Sequence, residues 1–204
     1  MAFLLEKCTL KVFDLFVLNH CQPFDCANDD LNDFFAKEVL NYSSELLGKS
    51  YCFTLDADDQ IIVAAFTISN DSIKTHTLPN SRKKRINTDI PRTKQMKSYP
   101  AVLIGRLGVH KNFRKIEEEE KSIGDQLMDF IKSWFIDKAN KTGCRFIVVD
   151  AYNNDTALKY YKRNGFKELF STEDQEKEYM HIPINGTLTT RLLYFDLILL
   201  SKNK

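Results

Sequence analysis

A nearly unbroken apolar run, AVLIGRLGV (101–109), most limits how this chain can fold. A strand of that composition has to be covered on both faces, which places it inside a sheet. The next sixty residues repeat the theme. A loop leads through SIGD (122–125) into an amphipathic helix over 124–140, with Leu127, Ile131, Trp134, Phe135 and Lys138 on one stripe. A second buried strand, FIVVD (146–150), comes next, and then a short helix from Asn154 to about Arg163. Asn154 suits a helix cap, and Gly165 stands where a left-handed residue closes a helix. Strand, helix, strand in this order favours a parallel or mixed sheet with a right-handed crossover. A strand entering a helix through a tight turn leaves outward-pointing N–H groups that suit a phosphate. A phosphate-bearing cofactor is therefore the first ligand to expect.

With 204 residues the chain has the length of one domain, read as 1–204, with a core that needs no staples. The net charge of +1 excludes a global argument for nucleic acid, so only local clusters of charge can speak. The start, MAFLLEKCTLKVFDLF, is broken by Glu6, Lys7, Lys11 and Asp14, which reads as a strand rather than a signal peptide. No stretch approaches the roughly 20 apolar residues of a membrane span, and a cytoplasmic location is expected. Cys8, Cys21, Cys26, Cys52 and Cys144 form no paired C-x-x-C clusters, which argues against a disulfide framework or structural zinc. Buried thiols are the plain reading, and a catalytic cysteine with a partner from afar is the alternative.

Residues 28–41 have helical spacing, with Asn28 or Asp29 as cap and Leu31, Phe34, Phe35 and Val39 on one face. Residues 50–55 and 60–69 read as two strands joined at Asp56, Ala57, Asp58 and Asp59. That acidic turn lacks the central glycine and distant glutamate of a calcium loop. Residues 74–97 carry Lys74, Arg82, Lys83, Lys84, Arg85, Arg92, Lys94 and Lys97 against Asp89 alone. Pro79 and Pro91 disfavour regular structure at their own positions. The segment reads either as a solvated connecting loop or as a platform for an RNA phosphate backbone, with Arg82, Lys83, Lys84 and Arg85 as candidate contacts. The end, TLTTRLLYFDLILL, reads as a long final strand.

Three motifs together resemble the GNAT superfamily of acetyl-CoA-dependent N-acetyltransferases. They are RLGV (106–109), the turn into helix 124–140, and Asn154, Ala157, Tyr160, Tyr161, Gly165 and Phe166 in the pattern N-x-x-A-x-x-Y-Y-x-x-x-G-F. The resemblance covers about residues 1–170. It implies a mixed α/β fold: a mostly antiparallel sheet of about seven strands, flanking helices and a splayed central strand pair. FDCANDDLNDFF (24–35), the basic segment before SYPAVLIGRLGVH, and VVDAYNNDTALKYYKRNGF further resemble the acetyltransferase toxins of bacterial toxin–antitoxin pairs. That branch acetylates the amine of aminoacyl-tRNA and is restrained by a small ribbon-helix-helix antitoxin. Acetyl-CoA is then the expected cosubstrate, without a metal. The expected partners are tRNA and such an antitoxin, with no membrane, and a homodimer is an open assembly state. A small amine or protein N-terminus is the rival acceptor, and a non-catalytic GNAT-like binding module is the rival class.

The resemblance also implies roles. Backbone N–H groups of Leu107 and Val109 would hold the acetyl carbonyl and pantetheine, with Asn154 bonding pantetheine or its phosphate, capping its helix, or both. Tyr161 matches the tyrosine that protonates the departing thiolate; Tyr160 lies roughly 100° away around the helix. One departure concerns the pyrophosphate loop. Counting from the strand end places Arg114 at its Arg/Gln position with about five residues inserted, whereas counting back from Gly124 places Glu119 there. The first register is preferred. Glu117–Glu120 would then bulge into solvent while Ser122, Ile123, Gly124 and Asp125 offer N–H groups to phosphate; a loop too distorted for CoA is the alternative. His110 reads as an exposed loop histidine, and no residue stands out as general base.

Overall fold

The computed structural model describes residues 2–88, 90 and 98–201. In chain order the elements are α1 (Phe3–Glu6), β1 (Cys8–Val12), α2 (Leu15–His20), α3 (Asp29–Asp33), α4 (Val39–Ser44), β2 (Lys49–Leu55), β3 (Asp58–Lys74), α5 (Asn80–Asn87), β4 (Ser98–Val109), α6 (Ile123–Ile136), β5 (Phe146–Tyr152), α7 (Asp155–Arg163), β6 (Lys167–Glu168), α8 (Glu173–Tyr179), β7 (Thr190–Asp196) and α9 (Ile198–Ser201). A π-helical turn, Phe34–Glu38, joins α3 to α4. The seven strands form one mixed, mostly antiparallel sheet in the order β1-β2-β3-β4-β5-β7-β6. This is the expected architecture. The described residues group into two compact units, 1–69 with 104–134 and 70–103 with 135–204.

In the first unit, β1 and β2 pair antiparallel from Cys8↔Leu55 to Val12↔Tyr51, and β2 returns through Asp56–Ala57 into β3. The amphipathic stripe of α6 supplies one side of the packing. Leu127 and Ile131 are fully buried, Phe130 meets Phe53 edge-on at 5.0 Å, and Trp134 meets Tyr51 at 4.9 Å. Phe13, Phe24, Phe34, Phe35 and Val39 build a separate cluster, with ring pairs at 5.3–5.5 Å. Aromatic pairs at these separations add to the burial of their area. Asn28 caps α3 by accepting from the Leu31 N–H at 3.0 Å, as its position suggested.

In the second unit, β5 pairs antiparallel with β7 over seven residues, and β6 with β7 over two. Phe146, Phe170, Ile73, Ile86 and Tyr194 lie in its core. A connecting loop was expected across 74–97, yet Asn80–Asn87 is helical. Pro79 stands just ahead of the first turn, where its missing N–H costs no hydrogen bond. Arginine and lysine then favour the helix, although Ile86 is its one buried residue. Asp89, Pro91, Arg92, Lys94 and Lys97 lie outside the described residues. The final strand is shorter than expected: it stops at Asp196, whose Oδ1 accepts from the Ile198 N–H at 3.2 Å as α9 begins. At the start of the chain the strand is confined to Cys8–Val12, with a short helix on each side.

Candidate functional site

The first unit holds Leu107, Val109, Arg114, Ser122, Ile123, Gly124 and Asp125; the second holds Asn154, Tyr161 and Arg82–Arg85. Strand β4 ends at Val109, with Leu107 and Val109 half-buried on either side of buried Gly108. A Cβ on Gly108 would stand 3.1 Å from the Phe24 ring and 3.2 Å from Cys26 Sγ. Glycine thus lets the 24–28 loop close over the strand end. Asp25 organises that loop. Its carboxylate takes Lys111 at 2.6 Å, the Ala27 N–H at 2.8 Å and Asn32 Nδ2 at 3.0 Å. The Lys111 bond above all, then the other two donors, hold the Asp25 carboxyl well below the usual carboxylate range.

Arg114 donates from its guanidinium to the Cys26 carbonyl. The residue expected on the pyrophosphate is therefore partly engaged by a loop 88 positions earlier, a pairing with no local signal in the sequence. The glutamate run divides. Glu117, Glu118 and Glu120 are exposed, as a solvent-facing excursion requires, while half-buried Glu119 accepts from Gln126 Nε2 at 2.9 Å. Gln126 in turn accepts from the Leu4 N–H at 2.9 Å, which pins α1 to the start of α6. Ser122 caps α6: its hydroxyl accepts from the Asp125 N–H at 3.2 Å and donates to the Asp125 carboxylate at 2.6 Å. One of the four expected N–H donors is thereby used internally.

His110 is half-buried rather than exposed, ringed by Phe24 at 6.3 Å and Phe113 at 5.7 Å. Burial lowers its pKa, which favours the neutral ring. Nδ1 accepts from the Asn112 N–H at 3.3 Å, so the neutral ring carries its proton on Nε2 and presents a donor there. Arg106 was not singled out by its motif. Its guanidinium lies 5.0 Å from the centre of the Phe34 ring, and Nε is buried without a partner among the described residues.

In the second unit, Asn154 caps α7 by accepting from the Ala157 N–H at 2.9 Å. Its exposed side chain keeps Nδ2 for other partners. Tyr161 lies one turn beyond Ala157 and packs edge-on against Tyr160 at 5.1 Å and Phe166 at 5.4 Å. Burial pushes its phenol well above the usual tyrosine value. Such a group stays protonated at neutral pH. Gly165 has φ +80°, the left-handed closure its position suggested, and its N–H returns to the Lys162 carbonyl at 2.9 Å. On α5, Lys83, Lys84 and Arg85 are exposed and Arg82 is half-buried. The five cysteines are free thiols; Cys8, Cys26 and Cys52 are buried, and Cys21 and Cys144 half-buried. Burial pushes Cys8 and Cys52 up to about 12 and Cys144 up to about 11, the reverse of an activated nucleophile. Among the described residues, no helix is long and apolar enough to cross a membrane.

No protein-family profile matches the sequence. Solved structures do match over nearly its whole length. A tyrosine-to-phenylalanine variant of KacT aligns with a TM-score of 0.67 at 19% identity, covering 98% of this chain and 100% of that one. AtaT complexed with acetyl-methionyl-tRNAfMet aligns at 0.64 and 17% identity, covering 96% and 98%. AtaTR bound with acetyl-CoA aligns at 0.62 and 16% identity, covering 97% and 98%. The chain has the fold of these proteins.

Proposed function

We propose that residues 1–204 form one acetyl-CoA-dependent N-acetyltransferase of the toxin type, acting in the cytoplasm on the amine of an aminoacyl-tRNA. The observation that carries the chemistry is Tyr161, a phenol kept protonated by burial at the family's tyrosine position. The amine nitrogen attacks the thioester carbonyl, and the new C–N bond forms as the C–S bond breaks. The thiolate leaves with the bonding pair and takes the Tyr161 proton; the ammonium formed on nitrogen loses its proton to solvent. Leu107 and Val109 N–H groups would polarise the carbonyl. The N-terminus of α6, capped by Ser122, would face the cosubstrate phosphates with its positive end, and Arg114 and the Nδ2 of Asn154 would add donors. The exposed Glu117, Glu118 and Glu120 point to a loop whose charge is turned to water.

Support for the acceptor comes from two sources. AtaT was solved with acetyl-methionyl-tRNAfMet, and this chain carries four consecutive cations, Arg82–Arg85, on one helix. An aminoacyl ester amine is weakly basic, so it needs no strong general base. Structures of AtaT with AtaR and of KacTA with DNA favour a small antitoxin as partner.

Calorimetric titration with acetyl-CoA tests the first step, and micromolar binding is expected. Transfer of labelled acetyl to charged tRNA, against a panel of small amines and peptide N-termini, tests the second. Absence of heat and of thermal stabilisation at several temperatures would sink the enzyme reading and favour a non-catalytic binding module.

A further inference from the structure

The second unit contains a cavity of about 150 Å³ that none of the assigned roles uses. Arg85, Lys167 and Tyr194 line it together with apolar Ile86 and Phe146, and Thr88 borders it with its hydroxyl donating to the Lys84 carbonyl at 2.8 Å. Among the described residues, neither Arg85 nor Lys167 has an ion-pair partner. Asp196 also borders the cavity, but its carboxylate is held by both arms of Arg145, at 2.6 and 2.8 Å. The charge facing the cavity is therefore net positive. Tyr194 is kept a donor by burial, with Arg85 and Arg82 pulling the other way. The volume equals roughly five waters at about 30 Å³ each. That is below the roughly 300–1,000 Å³ of a pocket for a whole drug-sized ligand, so a base with its sugar does not fit. One tetrahedral oxyanion does.

We infer that this cavity is a subsite for a single backbone phosphate of the RNA acceptor, gripped by Arg85 and Lys167 and oriented by the hydroxyl of Tyr194. The inference rests on the RNA acceptor proposed above and sharpens it. Arg85 reaches the cavity from α5, whereas Lys167 comes from β6. The basic helix would thus lie along the RNA with one phosphate fixed at its C-terminal end, and Arg82–Lys84 would add unlocalised attraction. Charge-assisted bonds to phosphate are the strong ones, and arginine's planar fork suits two oxygens at once.

The test uses the full chain in three forms: wild type, Arg85→Gln and Lys167→Gln, together with their double variant. Inorganic phosphate is titrated first, followed by the amide signals of Gly165 and Lys167 in 15N-labelled protein. Millimolar phosphate should shift both signals in the wild type and neither in the double variant. A short RNA hairpin with an acceptor-stem sequence is then titrated at several salt concentrations. Each single substitution should weaken binding about tenfold, the worth of one charge-assisted bond. The double variant should lose little more than one single, because both cations serve one phosphate. For the same reason its salt slope should flatten by about 0.9, not twice that. No phosphate-dependent shift in the wild type overturns the inference. So does RNA affinity that the variants leave unchanged, or slopes that fall independently for the two residues. Phosphate shifts without any wild-type RNA binding would instead overturn the RNA acceptor itself, and with it the ligand named here. Unchanged acetyl-CoA binding in every variant guards against misfolding.

Discussion

The guanidinium of Arg191 lies 2.7 Å from the carboxylate of Glu176, a residue with no exposed surface. The second carboxylate oxygen accepts the Leu192 N–H, so one side chain from α8 serves both a cation and the backbone of β7. Burial raises the Glu176 pKa, while the Leu192 and Arg191 bonds oppose that rise. Arg191 also lies 3.8 Å from Glu173 and 4.0 Å from Glu168, so Glu176 is the member left stranded when the pair is broken. Arg191→Ala should therefore lower stability by about 3–5 kcal/mol, read from urea denaturation. Replacing both residues with methionine should cost far less. Equal losses in single and double variants would show that shape, not charge, sets the cost.

Residues that fold on their own local logic were legible in the sequence. The Asn154 and Asn28 caps, the Gly165 closure and the Leu127–Ile131 stripe each depend on neighbours within a few positions, and each stands where it was expected. Helix α5 escaped because a lone buried Ile86 leaves no apolar period to read, and two prolines suggested a loop. Helix α8 escaped for a related reason: EDQEKEY is polar throughout, and its anchor is Glu176, whose partner stands 15 residues on. The final strand was over-extended because LILL continues an apolar run that only the Asp196 cap interrupts. In the candidate site, the Arg114–Cys26 bond and the half-burial of His110 depend on the 24–28 loop closing over Gly108, a contact that no spacing rule contains.

Gly165 and Gly143 should respond differently to the same change. At Gly165 the backbone has φ +80°, and an added Cβ would stand 3.1 Å from the Phe195 ring. Gly165→Ala should cost about 1–2 kcal/mol from the left-handed conformation alone, with the ring contact adding to it. An added Cβ at Gly143 meets nothing within 4 Å, so Gly143→Ala should be near neutral. Thermal denaturation of the two variants side by side decides the matter. A Gly165→Ala protein as stable as wild type would contradict the positive φ.

The buried thiols give an alkaline limit. Cys8 and Cys52 ionise near the ordinary thiol value of 9.0 when unfolded and are pushed up to about 12 by burial when folded. Between those values the native state holds protons that the unfolded chain has released. Unfolding is then favoured as pH rises, so the stabilisation present below about pH 9 is lost progressively toward pH 12. Urea midpoints at pH 8, 10 and 11 should fall in that order. A Cys52→Ser or Cys52→Ala variant should show a shallower fall. At pH 8, alkylation of Cys8 and Cys52 in the native protein should be slow and should follow unfolding; rapid labelling would contradict their burial.

Tyr161 carries the sharpest functional prediction. Its phenol is half-buried against Tyr160 and Phe166, and burial raises its pKa above the usual phenol value. Tyr161→Phe keeps the ring and those contacts but removes the donated proton. Turnover should fall by about 10²–10⁴, the usual worth of a general acid, while acetyl-CoA affinity changes little. The sign of the shift adds a second readout. Because the folded pKa is raised, the acid form persists past pH 10, and loss of this group's proton should not depress the wild-type rate below that pH. Tyr160→Phe should leave turnover near wild type, since its ring lies about 100° around the helix. A Tyr161→Phe enzyme with full turnover, or one whose loss is matched by an equal loss of acetyl-CoA affinity, would remove Tyr161 from the chemistry. The leaving thiolate would then have to take its proton from water or from another group.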